Sequence, residues 1–166
     1  GLTKLYYDKF TINGNNNNGI ASTVVKSTGG TPTGITIYGS QIDINGNNNN
    51  GIIVAGGGNV TLDHEGGYNP IATHSEDDSF RIWRHNTINV NGSNNNGLYV
   101  AKGTSDIYVT DITVNGNAKN NANNRGILVG SETGDAASAT LRSTTINVNN
   151  TNGSGTGIYL YSGDIT

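Results

Sequence analysis

Apolar residues in this chain come in pairs two positions apart, and the pairs recur. Ile42-Asp43-Ile44-Asn45-Gly46 is followed by four Asn and then by Gly51-Ile52-Ile53-Val54. Related copies run from Phe10 to Ala21, Ile88 to Val100, Ile112 to Val129 and Ile146 to Leu160. A period of two predicts strands, and Asn and Gly at their ends predict tight corners. A further short strand precedes the later copies, as Ile35-Thr36-Ile37, Val60-Thr61-Leu62, Ile107-Tyr108-Val109 and Ala139-Thr140-Leu141. One glycine is common to every copy, at 19, 51, 97, 126 and 157.

Repeats at intervals of about 30 residues predict a solenoid or a propeller. A propeller blade needs four strands, whereas three are found here, of constant length and with corners of variable length. The pattern therefore predicts an all-β fold, a parallel β-helix of about five turns with three short strands per turn, each strand lying on the one before it at about 4.8 Å. The first and third residues of each strand, such as Ile42 and Ile44 or Ile52 and Val54, point inward. The expected organisation is a single β-helix segment over 1–166, with an irregular start or partial cap at 1–10 and an insertion on the rod at 63–85. Asp164-Ile165-Thr166 reads as the restart of a strand seen earlier as Asp106-Ile107-Tyr108, so the chain is expected to be a piece of a longer one.

Composition narrows the function classes. Only 33% of residues are hydrophobic and 25 of 166 are Gly, too little apolar material for a thick layered core but enough for a narrow one. The absence of Cys removes disulfides and thiolate metal sites, and a net charge of −3 without a basic run argues against nucleic acid as a partner. No stretch reads as a signal peptide or a membrane span. Asn45-Gly46, Asn91-Gly92 and Asn115-Gly116 suit corners because both residue types tolerate left-handed backbone, and Asn amides in register can stack along the rod. The single Gly56-Gly57-Gly58-Asn59 lacks the tandem nonapeptide of a calcium roll, so no metal or other cofactor is expected.

Two features stand out from the repeat. The insertion holds all three His, the only Trp (Trp83), Asp63, Glu65, Glu76, Asp77 and Asp78, and Arg81 and Arg84. Its acids are candidates for a glycosidase pair, but adjacent acids on a loop are more commonly solvated, and the spacing of its His fits no local metal motif. Trp83, Arg81 and Arg84 are the residues in it expected to contact a ligand. The second feature follows from parity: if Ile52 and Val54 face in, Ile53 faces out, and so do Ala21, Tyr99, Leu128 and Tyr159, with Tyr161 beside them. This predicts an exposed apolar stripe, a contact surface unless another part of the full chain covers it. The opposing outward residues Asp43, Asn89, Thr113 and Asn147 are expected to be solvated. Outward Thr36, Thr61 and Thr140 suggest an ice-binding array, which Tyr108 is expected to interrupt.

Thr144 to Asn149, a polar corner, Gly157-Ile158-Tyr159 and a following Gly-Asp resemble repeats in passenger domains of Gram-negative autotransporters. Similar wording at Thr87 to Val100 and Asp111 to Val129 extends the resemblance over most of the chain from Thr11. It implies a right-handed parallel β-helix displayed outside the cell, exported through a C-terminal barrel, in a class rich in adhesins and self-associating proteins. No Gly-Asp-Ser-Gly or Gly-x-Ser-x-Gly signature is present, and Arg125-Gly126 is followed by Ile127 rather than Asp. The expectation is a non-enzymatic adhesin segment. Its partner would be a surface protein or glycan of a host or neighbouring cell, or a second copy, engaged without nucleic acid or membrane insertion. A spacer or end-to-end stacking unit is the first alternative, and a carbohydrate-active β-helix of lyase or tailspike type the second.

Overall fold

Strands of two to six residues alternate with bends, and the computed structural model describes residues 2–23, 34–63, 85–115, 123–149 and 155–166. The first turn comprises β1 (Leu2–Tyr6), β2 (Lys9–Ile12) and β3 (Asn18–Thr23), the second β4 (Gly34–Tyr38), β5 (Gln41–Ile44) and β6 (Asn50–Ala55). The third comprises β7 (Gly58–Asp63), β8 (Asn86–Val90) and β9 (Asn96–Val100), the fourth β10 (Gly103–Tyr108), β11 (Thr110–Asn115) and β12 (Asn124–Val129). The fifth comprises β13 (Ala137–Arg142), β14 (Thr145–Asn149) and β15 (Gly155–Leu160), and β16 (Asp164–Ile165) begins the next. Every third strand pairs in parallel, giving a first sheet β1-β4-β7-β10-β13-β16, a second β2-β5-β8-β11-β14 and a third β3-β6-β9-β12-β15. The fold is a parallel β-helix.

The interior is built from columns of like residues. Ile42, Ile88 and Ile112 stack in the second sheet, and Ile52, Leu98 and Ile127 in the third. Ile37, Leu62 and Ile107 stack in the first, and all nine are essentially inaccessible to solvent. Parallel pairing with a buried face fixes register, because a one-residue slip would turn every Ile outward.

The shared glycine is where alternation breaks. Gly51 and Ile52 are both buried, as are Gly97 with Leu98 and Gly126 with Ile127, since the chain bends into the third sheet there. A Cβ on Gly97 would stand 2.6 Å from the carbonyl oxygen of Gly126 and 3.0 Å from Ile88 Cγ2. Only glycine fits between the turns.

The corner between second and third sheets is an amide lattice. Asn13, Asn45, Asn91, Asn115 and Asn149 form one ladder in which each Nδ2 donates to the Oδ1 one turn toward the N-terminus, at 3.1, 3.3, 2.8 and 3.3 Å. Inside it lie Asn49, Asn95 and Asn124, each fully buried. Asn95 Oδ1 accepts from Asn49 N at 2.8 Å, while its Nδ2 donates to the carbonyls of Gly46 at 2.8 Å and Asn91 at 2.7 Å. The left-handed residues are Gly14 and Asn16 (φ 90° and 60°) and, on the next two turns, Gly46 and Asn48 (φ 110° and 56°) and Gly92 and Asn94 (φ 100° and 55°). Buried backbone groups need partners, and these side chains supply them.

The corner between first and second sheets repeats the device with other residues. Asp8 N donates to Ser40 Oγ at 3.1 Å and Ser40 N to Asn86 Oδ1 at 3.0 Å. Asn86 Nδ2 then donates to the carbonyls of Asp63, at 2.8 Å, and Ile37, at 3.2 Å. One buried amide thus ties the end of β7 to the start of β8.

Three expectations about the first sheet are corrected. Ser105-Asp106-Ile107, not Ile107-Tyr108-Val109, aligns with Val60-Thr61-Leu62. Ser105 is the inward residue, its Oγ donating to Val60 O at 3.0 Å, and Val109 turns the corner with φ 46°. The Thr column is consequently interrupted by Asp106, which pairs with Thr61 and Thr140, and not by Tyr108. Asp164 pairs with Ser138 and thus stands in the Thr104 column, so it does not repeat Asp106. Within the stretch expected as an irregular start or partial cap, Leu2–Tyr6 forms a strand paired residue by residue with β4.

Candidate functional site

The outer face of the third sheet carries the most continuous outward column that is not polar. Ala21, Ile53, Tyr99, Leu128 and Tyr159 are in register from turn to turn, and their inward neighbours Ile52, Val54, Leu98, Val100, Ile127 and Val129 are sealed in the core. The column is exposed at both ends, at Ala21 and Tyr159, and half-buried between them. Ile53, Tyr99 and Leu128 are half-buried by one another, while Tyr159 and Tyr161 are 40% and 53% exposed.

Polar groups frame this column on one side. Asn18, Asn50 and Asn96 form a second amide ladder, with Nδ2 to Oδ1 distances of 2.8 Å at both steps. The next residue in register is Arg125, which cannot continue it. Asn96 Oδ1 is therefore buried without a hydrogen-bond partner, and the Arg125 guanidinium lies over the Tyr159 ring, 4.9 Å from its centroid. The Tyr159 and Tyr161 rings meet at 45° with centroids 6.4 Å apart. On the other flank, burial, followed by the nearby Glu132 charge, raises the Tyr99 hydroxyl above its ordinary pKa. Glu132 belongs to the corner that also holds the Lys102–Asp135 ion pair at 2.9 Å. Aromatic, aliphatic and Arg side chains are of the kinds common at contact surfaces.

Ile53, Tyr99, Leu128, Tyr159 and Tyr161 thus share one face, and the structure places Arg125 among them. Sequence reasoning passed over Arg125 because parity counting stops at the bend glycine, Gly126. Arg81, Trp83 and Arg84, together with Glu65, Glu76, Asp77 and Asp78, lie outside the described residues. The two stems of that segment, Asp63 and His85, sit at the corner of the first and second sheets, where His85 Nδ1 and Asp111 Oδ2 are 2.8 Å apart.

Two other faces are differently made. On the first sheet, Tyr6 and Tyr38 stack at 4.7 Å with rings 12° from parallel, and Arg142 covers Tyr108 at 5.7 Å. On the second sheet the expected solvated column is partly tied down: Asp43 accepts from Asn89 at 2.7 Å and from Gln41 at 2.8 Å, and meets Lys9 Nζ at 3.4 Å. Burial raises the Asp43 pKa, but the hydrogen bonds from Asn89, Gln41 and Lys9 and the Lys9 charge outweigh it and hold the carboxyl below its ordinary value. Among the described residues no group of three or more His, Asp or Glu is placed to hold a metal ion. No family model, no curated protein and no solved structure matches this chain.

Proposed function

We propose that this chain is a segment of a surface-displayed adhesin that attaches cells to a host or neighbouring surface, or to one another, through the outer face of its third sheet. The observation that carries the reading is the in-register column Ala21-Ile53-Tyr99-Leu128-Tyr159, non-polar at each of five successive turns on the outer face of the third sheet. The autotransporter-like wording of the repeats supports export to the cell surface. Size sets the mode of action. Five strands at about 4.8 Å and a width of about 10 Å give a patch of roughly 240 Å², against about 800 Å² per partner for a stable complex. One such contact is weak, and adhesion then comes from many copies acting together.

Sedimentation velocity over a wide concentration range, repeated with Tyr99→Ser and Tyr159→Ser combined, tests it. The reading expects concentration-dependent association, or retention on target cells, that the double substitution abolishes. A chain that stays monomeric and fails to bind cells in both forms would sink it.

A further inference from the structure

We propose that the partner of this face is a second copy of the chain lying parallel to the first, related by a two-fold axis along the rods that sets Arg125 of each copy against Glu132 of the other. This rests on the contact reading above and names its partner. Two charges flank the column near the height of Leu128. Arg125 stands three residues before Leu128, in the register position that continues Asn18, Asn50 and Asn96. Glu132 is exposed four residues after it, in the corner leading to β13, where its charge reaches the Tyr99 hydroxyl. Both belong to the fourth turn, which has a turn on either side.

Among the described residues neither charge is neutralised within its own chain. The ion pairs are Lys9–Asp43, His85–Asp111 and Lys102–Asp135, so the Lys of Glu132's own corner is taken, and Arg125 rests on the uncharged Tyr159 ring. At about 3.3 Å per residue, Arg125 to Val129 alone spans about 13 Å, beyond the joint reach of the two side chains.

Symmetry decides how two copies satisfy them. An axis along the rods carries each flank of the column onto the opposite flank of the partner at the same height. Arg125 then meets Glu132 twice, and Ile53, Tyr99 and Leu128 each meet their own copies. An axis across the rods makes the pair antiparallel and sets each flank against itself. Arg125 would then face the column Asn18, Asn50, Asn96, Arg125 and Thr156, which holds no acid. Only the parallel pair matches charges, and such an isologous contact closes at two copies. Neighbours displayed side by side on one surface supply the effective concentration that a small contact needs.

The chain has no Cys, so one introduced thiol reports the contact. Ile53→Cys and Leu128→Cys are each treated with a short thiol-to-thiol cross-linker, with Thr113→Cys on the second sheet as the collision control. Both are expected to link to themselves well above the control, whereas in an antiparallel pair at most one height meets its own copy. On the Ile53→Cys chain, Arg125→Glu and Glu132→Arg are each expected to cut linking about ten-fold. The two together in one chain, or a mixture of the two singly substituted chains, should restore it. Linking at only one of 53 and 128, or no restoration, overturns the pairing. No linking above the control, with the parent still retained on target cells, overturns self-pairing and leaves the contact reading standing; loss of both removes the two together. If a charge variant fails to fold, the two thiol positions decide.

Discussion

Replacing Asn95 with Ala removes one side chain and leaves two backbone groups without the partners they have now. They are the N–H of Asn49 and the carbonyl of Asn91, bonded at 2.8 and 2.7 Å to an amide with no solvent exposure, whereas the carbonyl of Gly46, bonded to the same amide at 2.8 Å, keeps its bond from Ser93 N at 3.0 Å. Each orphaned group costs about 1–3 kcal/mol. Some relaxation and water entry follow, so the lower half of the sum applies, about 2–4 kcal/mol. Asn47 is the control: its Nδ2 bonds to Asn15 at 3.1 Å on the exposed rim, and Asn47→Ala should cost no more than about 0.5–1 kcal/mol. Urea unfolding followed by circular dichroism gives both values, provided the slopes agree between variants and the repeats unfold together. If Asn95→Ala falls within 1 kcal/mol of Asn47→Ala at about equal slope, the buried amides do not hold the corner and the reasoning is wrong.

Other consequences follow from the same geometry. Gly97→Ala should be among the most damaging single substitutions, costing about 3 kcal/mol or more, because the added methyl meets a carbonyl of the next turn and not a movable side chain. Gly134→Ala, with open space around it but φ 65°, should cost only about 1–2 kcal/mol, and a reversed order in thermal melts would refute the packing argument. Asp43 has a folded pKa below its ordinary 3.8, so its contribution is present above the unfolded value and is lost as pH falls through the folded one. The difference in stability between parent and Asp43→Asn should therefore shrink below about pH 4, and a difference that is flat across that window would count against the Asn89, Gln41 and Lys9 contacts.

The parallel β-helix was legible in the sequence because two signals agree: Ile at alternate positions and one glycine at a constant place. The first sheet misled where the signals part. Ser105 occupies an inward position that an apolar residue fills in neighbouring turns, and Val109 looks like strand but turns a corner, so hydrophobicity alone slid the register by two. The corners were half legible. That Asn tolerates left-handed backbone is local, but that Asn49 and Asn95 rather than Asn47 are buried depends on the turn above. The outward column could be counted by parity from the glycine. Arg125 and the unpaired Asn96 oxygen could not, since they express a mismatch between two turns rather than a property of either.

Asn86 carries a consequence for engineering. Its side chain holds the carbonyl of Asp63 and the N–H of Ser40 at 2.8 and 3.0 Å, so the end of β7 and the start of β8 are pinned to each other by a contact of the described turns alone. What is spliced between them alters chiefly a closure entropy, which grows only slowly with length. The corner between β7 and β8 is accordingly a cassette position: a foreign loop, an epitope or a short linker can be exchanged there while the stacked turns keep their register.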